Sequence, residues 1–265
     1  MTTVDEIKAI VAHYDNHREW HDLARGNGNL GDGYYNFSGG EPTNLNIGFP
    51  EACRRMTHYL GVLGQLAADS VVLDMGCGEG TPAINMAKQF GCQVIGVDIS
   101  TNNVKKARSF LNEESSTLRI EFHEENFLNL PQDLLNRKYT HVWAQVSFFH
   151  THAHLRKCID VAASSLQSGG TFILVDYCGP RHPVFTRDAS KSAPDMNEYM
   201  QTVKDAGFKV ILQEDASRHF LAGTTFLRKI AGEEKNDLEI NFYDGRIASI
   251  KEGLIGMVII IAQKQ

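Results

Sequence analysis

The chain has 265 residues, 42% of them apolar and 22% charged, with 32 acidic side chains against 26 Lys or Arg and a formal net charge of -6. This is the composition of an ordinary globular chain that can bury a core, and it excludes disordered, collagen-like and disulfide-scaffold classes, while the length allows one large domain or two small ones. A negative balance without any long basic run excludes a protein that binds by neutralising many phosphates, so nucleic acid is not an expected partner.

The amino-terminal stretch MTTVDEIKAIVAHYD carries acids early and has neither a basic n-region nor an apolar h-region, so no signal peptide is expected. Residues 1–69 read as a separate lid or cap segment, an amphipathic helix followed by the loop-like GNGNLGDGYYNFSGGEPTN. From residue 70 onward strands and helices alternate. Val71 to Asp74 is a strand, Pro82 to Phe90 a helix with Thr81 as its cap, Pro82 in its first turn and Gly91 as its stop. Strands follow at Gln93 to Asp98, Arg119 to His123, His141 to Val146, Thr171 to Asp176 and Lys209 to Gln213, with helices at Asn102 to Asn112, His152 to Leu166 and Met196 to Ala206. A second cap insertion is expected at about residues 218–253, before a last strand from Gly256 to Gln263. Within that strand Met257 to Ala262, six residues, is the longest apolar run, too short to span a membrane. Alternation of this kind predicts an α/β fold with an open, mostly parallel seven-stranded sheet covered on both faces, and ligands at its carboxyl edge. The five cysteines Cys53, Cys77, Cys92, Cys158 and Cys178 are odd in number and never spaced C-x-x-C, so a reducing, cytoplasmic setting fits better than a disulfide or zinc framework.

The segment VVLDMGCGEGTP joins the first strand to a helix through Gly76, Gly78 and Gly80. Glycines at alternate positions let the backbone turn tightly and approach a ligand, with a helix amino end behind it. A dinucleotide fingerprint would want glycine or alanine where Thr81 stands, and Asp74 would repel a pyrophosphate but attract a cation. The pattern favours a sulfonium nucleoside.

VLDMGCGEG followed by VIGVDIS resembles the first motifs of class I S-adenosylmethionine-dependent methyltransferases, and the similarity runs from about Ser70 to Asp176. The resemblance implies a Rossmann-like sheet, S-adenosyl-L-methionine as cofactor and S-adenosyl-L-homocysteine as product. It implies a cofactor site made of Asp74, Gly76, Cys77, Gly78, Gly80, Asp98, Ile99, Asn126, Phe127 and Gln145. Asp98, 18 residues after Gly80, stands where the family's acid accepts from both ribose hydroxyls, with Ile99 and Ser100 against the adenine. In EENFLNLP the family's adenine-binding acid is replaced by Asn126, whose amide oxygen can accept the same bond, and Phe127 adds an adenine contact.

Transfer of a sulfonium methyl is an in-line displacement that needs positioning and exclusion of water more than acid-base machinery. A base is required only for the acceptor's proton. His150 closes WAQVSFFH after the fourth strand, where methyltransferases of the sarcosine/dimethylglycine and tocopherol-like group, which the chain resembles, carry a histidine beside the acceptor. Tyr14 with Asp15, then Trp20, then Gly33, Tyr34 and Tyr35 resemble the lid of the same group; Tyr14 and Tyr34 are candidate catalytic residues, able to shelter a cation and orient an acceptor. Asp215, Arg218, His219 and Arg181 are weaker acceptor-side candidates. His13, His17 and His21 are spaced for one helix face and His150, His152 and His154 alternate, but no Glu or Cys partner completes either set, so no metal is expected.

Enzymes that methylate bases or amides carry an N-P-P-Y-like loop after the fourth strand, unlike AQVSFFH, and protein-arginine enzymes need paired glutamates where none occurs between Glu125 and Glu198. A small-molecule acceptor remains, with nitrogen the first expectation and oxygen or carbon the second. A scaffold that binds cofactor without catalysis and a nicotinamide oxidoreductase are the alternatives from other classes. A homodimer is compatible with this reading.

Overall fold

A computed structural model of the chain describes residues 8, 11–12, 19–26, 32–38, 41–114, 117–179 and 193–265. The seven strands of its main sheet are β1 (Val71–Met75), β2 (Gln93–Asp98), β3 (Ile120–Glu124), β4 (Tyr139–Gln145), β5 (Leu166–Cys178), β6 (Phe208–Asp215) and β7 (Gly256–Lys264). Their spatial order is β3-β2-β1-β4-β5-β7-β6. The first five are parallel, and β7 is antiparallel to both β5 and β6. The order reverses at β1 and β4, which places the crevice for a ligand at their carboxyl ends.

The helices are α1 (Phe49–Leu63), α2 (Thr81–Phe90), α3 (Thr101–Asn112), the single turn α4 (Gln132–Leu135), α5 (Leu155–Ser165), α6 (Met196–Asp205), α7 (Ser217–Glu233) and α8 (Asp237–Lys251). Strand periodicity divides them into two layers. Val72, Trp143, Ile173 and Ile259 pack on one face against α1, α2, α3 and α7, through residues such as Met56, Met86, Val104 and Phe220. Leu73, Val142, Leu174 and Ile260, one position along each strand, pack on the other face against α5 and α6 through Cys158, Ile159 and Val203. Burial on both faces is why these strands read as continuous apolar runs.

Several boundaries depart from expectation. Gly80, not Thr81, caps α2: it sits at φ 85°, and no side-chain bond from Thr81 is made. A side chain there would stand 2.6 Å from Phe122 Cζ, so the left-handed turn is reserved for glycine and the helix begins at Thr81. Gly91 does stop the helix, at φ 69°. The helix expected from His152 begins only at Leu155, because a 3-10 segment, Phe148–His154, precedes it, and β5 starts at Leu166 where a helix end was expected. Helix α1 was not foreseen, although Phe49, Ala52, Cys53, Met56 and Leu60 mark a helical stripe and Pro50 suits its start. The segment between β6 and β7 is the helix pair α7 and α8. Helical residues 19–25 join them: Trp20 and Ala24 cluster with Phe49, Cys53, Leu227 and Tyr243.

Candidate functional site

The glycine loop leaves β1 with Gly76, Gly78 and Gly80 all at positive φ. Gly76 could not be replaced without a clash, since an added Cβ would lie 2.6 Å from Ser147 Cβ. The loop is tied to β2 by the N–H groups of Gly76 and Cys77, which donate to the Val97 carbonyl at 2.9 and 3.0 Å. Cys77, expected at the cofactor, turns its side chain into the core against Gly96 instead, so only its backbone lines the loop.

Asp98 ends β2 and organises the turn around itself. Its Oδ2 accepts from Gly78 N at 2.9 Å, and its Oδ1 from Ser100 N at 2.9 Å and Asn103 Nδ2 at 3.2 Å. Burial raises its pKa, and these bonds oppose the shift. Its backbone carbonyl accepts from Glu125 N at 3.0 Å, which brings the Asn126 loop alongside. Asn126 uses Oδ1 to cap the short turn Phe127–Asn129, accepting from Leu128 N at 2.9 Å. One amide lone pair and the NH2 group remain available there. Phe127 reaches the glycine loop, 3.8 Å from where a Gly76 Cβ would stand, and Ile99 is half-buried beside Asp98.

Asp74 carries the decisive electrostatics. It is 2% exposed, its Oδ2 has no hydrogen-bond partner among the described residues, and its pKa is pushed up to about 8 by burial and by the neighbouring Asp98. A buried, unsatisfied acid beside a second, half-buried one forms a site that a cation relieves and an anion aggravates. Trp143 Nε1, Gln145 Oε1 and Ser147 Oγ are likewise buried without a hydrogen-bond partner among the described residues, and Trp143 is in register with Asp74 on the neighbouring strand. These orphaned groups along β1 and β4 fit the polar amino-acid end of S-adenosyl-L-methionine. Ser147 and Trp143 were missed from the sequence. A serine after an apolar strand carries no motif, and only its contact with Gly76 reveals it.

Val146, between Gln145 and Ser147, adopts φ 53° although it is β-branched and buried. Such a conformation costs about 1 to 3 kcal/mol and marks a turn held by its surroundings. The turn leads to Phe149 and His150, whose rings lie 3.7 Å apart. Phe149 meets Tyr177 edge-on at 4.9 Å and Tyr177 meets Phe220 at 4.7 Å, so His150 stands at the end of an aromatic wall.

The amino-terminal residues close over this wall. Tyr177 donates its hydroxyl to Asp32 Oδ2 at 2.6 Å, and Trp20 Nε1 donates to the Tyr243 hydroxyl at 3.0 Å. Tyr34 N donates to the Ala52 carbonyl at 2.8 Å, and a side chain at the neighbouring Gly33 would collide with Ala52. The Tyr34 ring stacks on His219 at 4.3 Å and packs on Tyr59 at 4.4 Å. His219 is fully buried, and Tyr35 N donates to its Nδ1 at 3.0 Å. Burial, with Arg218 nearby, pushes its pKa down to about 4, so the ring is neutral and its proton is on Nε2. Asp215, expected near the acceptor, accepts from Ser217 N at the start of α7, while Arg218 lies over the Phe37 ring. Lys106 of α3 clasps Asp22 at 2.8 Å and Glu79 at 3.3 Å, joining the amino-terminal helix to the glycine loop.

Tyr14, Asp15, His13, His17 and Arg181 lie outside the described residues. Among the described residues no group of three His, Cys, Asp or Glu side chains could hold a metal ion, and no helix is long and apolar enough to cross a membrane.

Comparison with known proteins agrees with this geometry. A model of the methyltransferase domain matches residues 66–245. A sarcosine/dimethylglycine N-methyltransferase of Halorhodospira halochloris is 29% identical over 212 residues, 77% of this chain and 75% of that one. A 27-O-demethylrifamycin SV methyltransferase of Amycolatopsis mediterranei (strain S699) is 28% identical over 179 residues, 64% of this chain and 65% of that one. Among solved structures, a geranyl diphosphate C-methyltransferase from Streptomyces coelicolor A3(2) superposes with a TM-score of 0.78 over 99% of both chains at 16% identity, a likeness of fold. With the family model covering most of its length, the chain belongs to the methyltransferase domain family and is an S-adenosyl-L-methionine-dependent methyltransferase.

Proposed function

We propose that this enzyme methylates an amine nitrogen of a small cytoplasmic metabolite. The observation that carries the reading is the Phe149 ring against His150, backed by the buried rings of Tyr177 and Phe220, which the Arg246 guanidinium faces at 5.6 and 5.2 Å, and beside the pair Tyr34 and Tyr59. Aromatic faces stabilise an alkylated ammonium as it forms, and an imidazole nitrogen can accept the proton that a secondary amine must lose. The similarity to an N-methyltransferase of sarcosine and dimethylglycine supports the same choice.

In this reading the cofactor, when bound, supplies an electrophilic methyl group on a cationic sulfur. Asp74, with Gln145, faces its charged end; the Gly76, Gly78 and Gly80 backbone lines its path; Asp98 accepts from its ribose; and Ile99, Asn126 and Phe127 border its base. Residues 1–69 and the helix pair α7 and α8 act as the cap that excludes water. Within that cap Tyr34 orients the acceptor, Tyr14 carries the same role on the sequence resemblance alone, and a ring nitrogen of His150 takes its proton.

Transfer of labelled methyl across panels of amines, phenols and carboxylates tests the proposal. Incorporation into amines alone is the expected outcome, and turnover of phenols or alcohols without amines overturns it. A hydroxyl acceptor is the second reading, favoured by the rifamycin O-methyltransferase relative and by the same His150, which could deprotonate an oxygen.

A further inference from the structure

The turn that carries both halves of the site is gripped through its backbone by a buried residue of the neighbouring strand. Gln145 and Ser147 stand on the glycine-loop side of this turn, Phe149 and His150 on the lid side, and Val146 in the middle is in the left-handed region. Nothing local explains why a β-branched residue stays there. The Val146 N–H donates to the Val175 carbonyl at 2.8 Å, extending the β4–β5 register by one step. The next residue on β5 is Asp176, which is fully buried. Its Oδ2 accepts from Phe148 N at 2.8 Å and Phe149 N at 3.1 Å, and its Oδ1 from Tyr177 N at 2.8 Å.

The first N–H groups of the 3-10 segment are thus satisfied by a carboxylate from the neighbouring strand rather than by a capping residue before it. The same carboxylate fixes the backbone of Tyr177, whose hydroxyl reaches Asp32 of the lid segment. A single buried side chain holds the turn on one side and the lid's anchor on the other. Burying a carboxylate is unfavourable unless its lone pairs are filled; backbone donors reach both oxygens here, and burial still outweighs them, pushing the Asp176 pKa up to about 7.

We propose that Asp176 is a positioning residue, a clamp that keeps the Gln145–Phe149 turn in its left-handed geometry and so aligns the cofactor edge with His150. The inference rests on the reading that this edge holds the cofactor and is independent of which acceptor is methylated. In Asp176→Asn the NH2 group must face either the Phe148 and Phe149 N–H groups, which frees the turn to relax toward the conformation Val146 prefers, or the Tyr177 N–H, which loosens the other end of the clamp. Val146→Gly removes that preference, because glycine populates positive φ as readily as negative.

Calorimetry with S-adenosyl-L-homocysteine, paired with thermal unfolding, tests this on the full chain. Asp176→Asn is expected to weaken affinity about tenfold, and Val146→Gly placed on that background is expected to recover at least threefold of the loss. A merely structural Asp176 would lower the unfolding midpoint with affinity kept within twofold, and that result overturns the proposal. Lost affinity with no recovery in the double variant overturns it as well. If Asp176→Asn does not fold, amide exchange in the unaltered protein decides: Phe148 and Phe149 amides protected to the level of β5 support the clamp, and exchange as fast as an open loop overturns it. If the wild-type chain binds no S-adenosyl-L-homocysteine, the cofactor reading itself has failed, and the clamp with it. An acceptor screen that finds no amine leaves these binding measurements untouched, so the two proposals fail separately.

Discussion

The two sides of the cleft are built differently. On the glycine-loop side the bonds that matter span short stretches of sequence: Asp98 holds Ser100 and Asn103 within its own turn and Gly78 across one helix. On the lid side they cross most of the chain. Tyr177 reaches Asp32, Tyr35 reaches His219, and Trp20 reaches Tyr243, 145, 184 and 223 residues apart. The first side is preorganised by local turn chemistry; the second exists only once the amino-terminal segment has docked on α7 and α8. Cofactor binding should therefore survive damage to the lid, whereas acceptor handling should not.

The sharpest break of that contrast is His150→Ala. If turnover depends on His150 as the proposed general base, the variant lowers it by about 10²- to 10⁴-fold, and affinity for S-adenosyl-L-homocysteine is expected to stay within about twofold. Steady-state kinetics beside calorimetry reads both numbers. Asp98→Ala should do the reverse. Removing charge-assisted bonds to a ligand and the anchor of its own loop costs about 3 kcal/mol, roughly a hundredfold in cofactor affinity by calorimetry.

The next effect is pH-dependent. Asp74 is harder to ionise in the fold than in the unfolded chain, with a pKa pushed up to about 8 by burial and Asp98. Its contribution to the stability of the cofactor-free protein is complete below the ordinary carboxylate range and is lost as pH rises toward 8. A cationic ligand prefers the ionised form, so cofactor affinity should fall by up to about tenfold per pH unit below 8, with a proton released on binding. Calorimetry in buffers of different ionisation enthalpy measures that proton; its absence with Asp74→Asn assigns it. The smallest expected effect is Trp20→Phe, which deletes one buried bond to Tyr243 and should lower stability by about 1 kcal/mol in denaturant titration. If that variant weakens cofactor binding as strongly as Asp98→Ala, the two sides are not separable.

What was legible follows the same division. Strands buried on both faces announce themselves as apolar runs, so each core strand was placed to within about two residues except the start of β5, which lies five residues before the expected one. The glycine loop, Asp98 and Asn126 were legible because their geometry depends on neighbours a turn away. Gly80 as the cap of α2 was not, since only the Phe122 ring packed behind it demands a residue without a side chain. Nor was Ser147, a contact of Gly76 that lies on another strand's loop. Helix α1 carried a readable stripe that the surrounding glycine-rich text obscured. Helices α7 and α8 were expected only as an insertion, because their partners come from the far end of the chain.

The sequence by itself determined the sheet and the acidic, glycine-lined edge that suits a cationic nucleoside, because periodicity, turn residues and charge act over a few positions. Only the tertiary structure decided which side chains meet across that edge. The left-handed Val146, the buried Asp176 beneath it and the neutral His219 behind Tyr34 are set by contacts between segments that no local pattern connects, and desolvation at those contacts raises the Asp176 pKa and keeps His219 neutral.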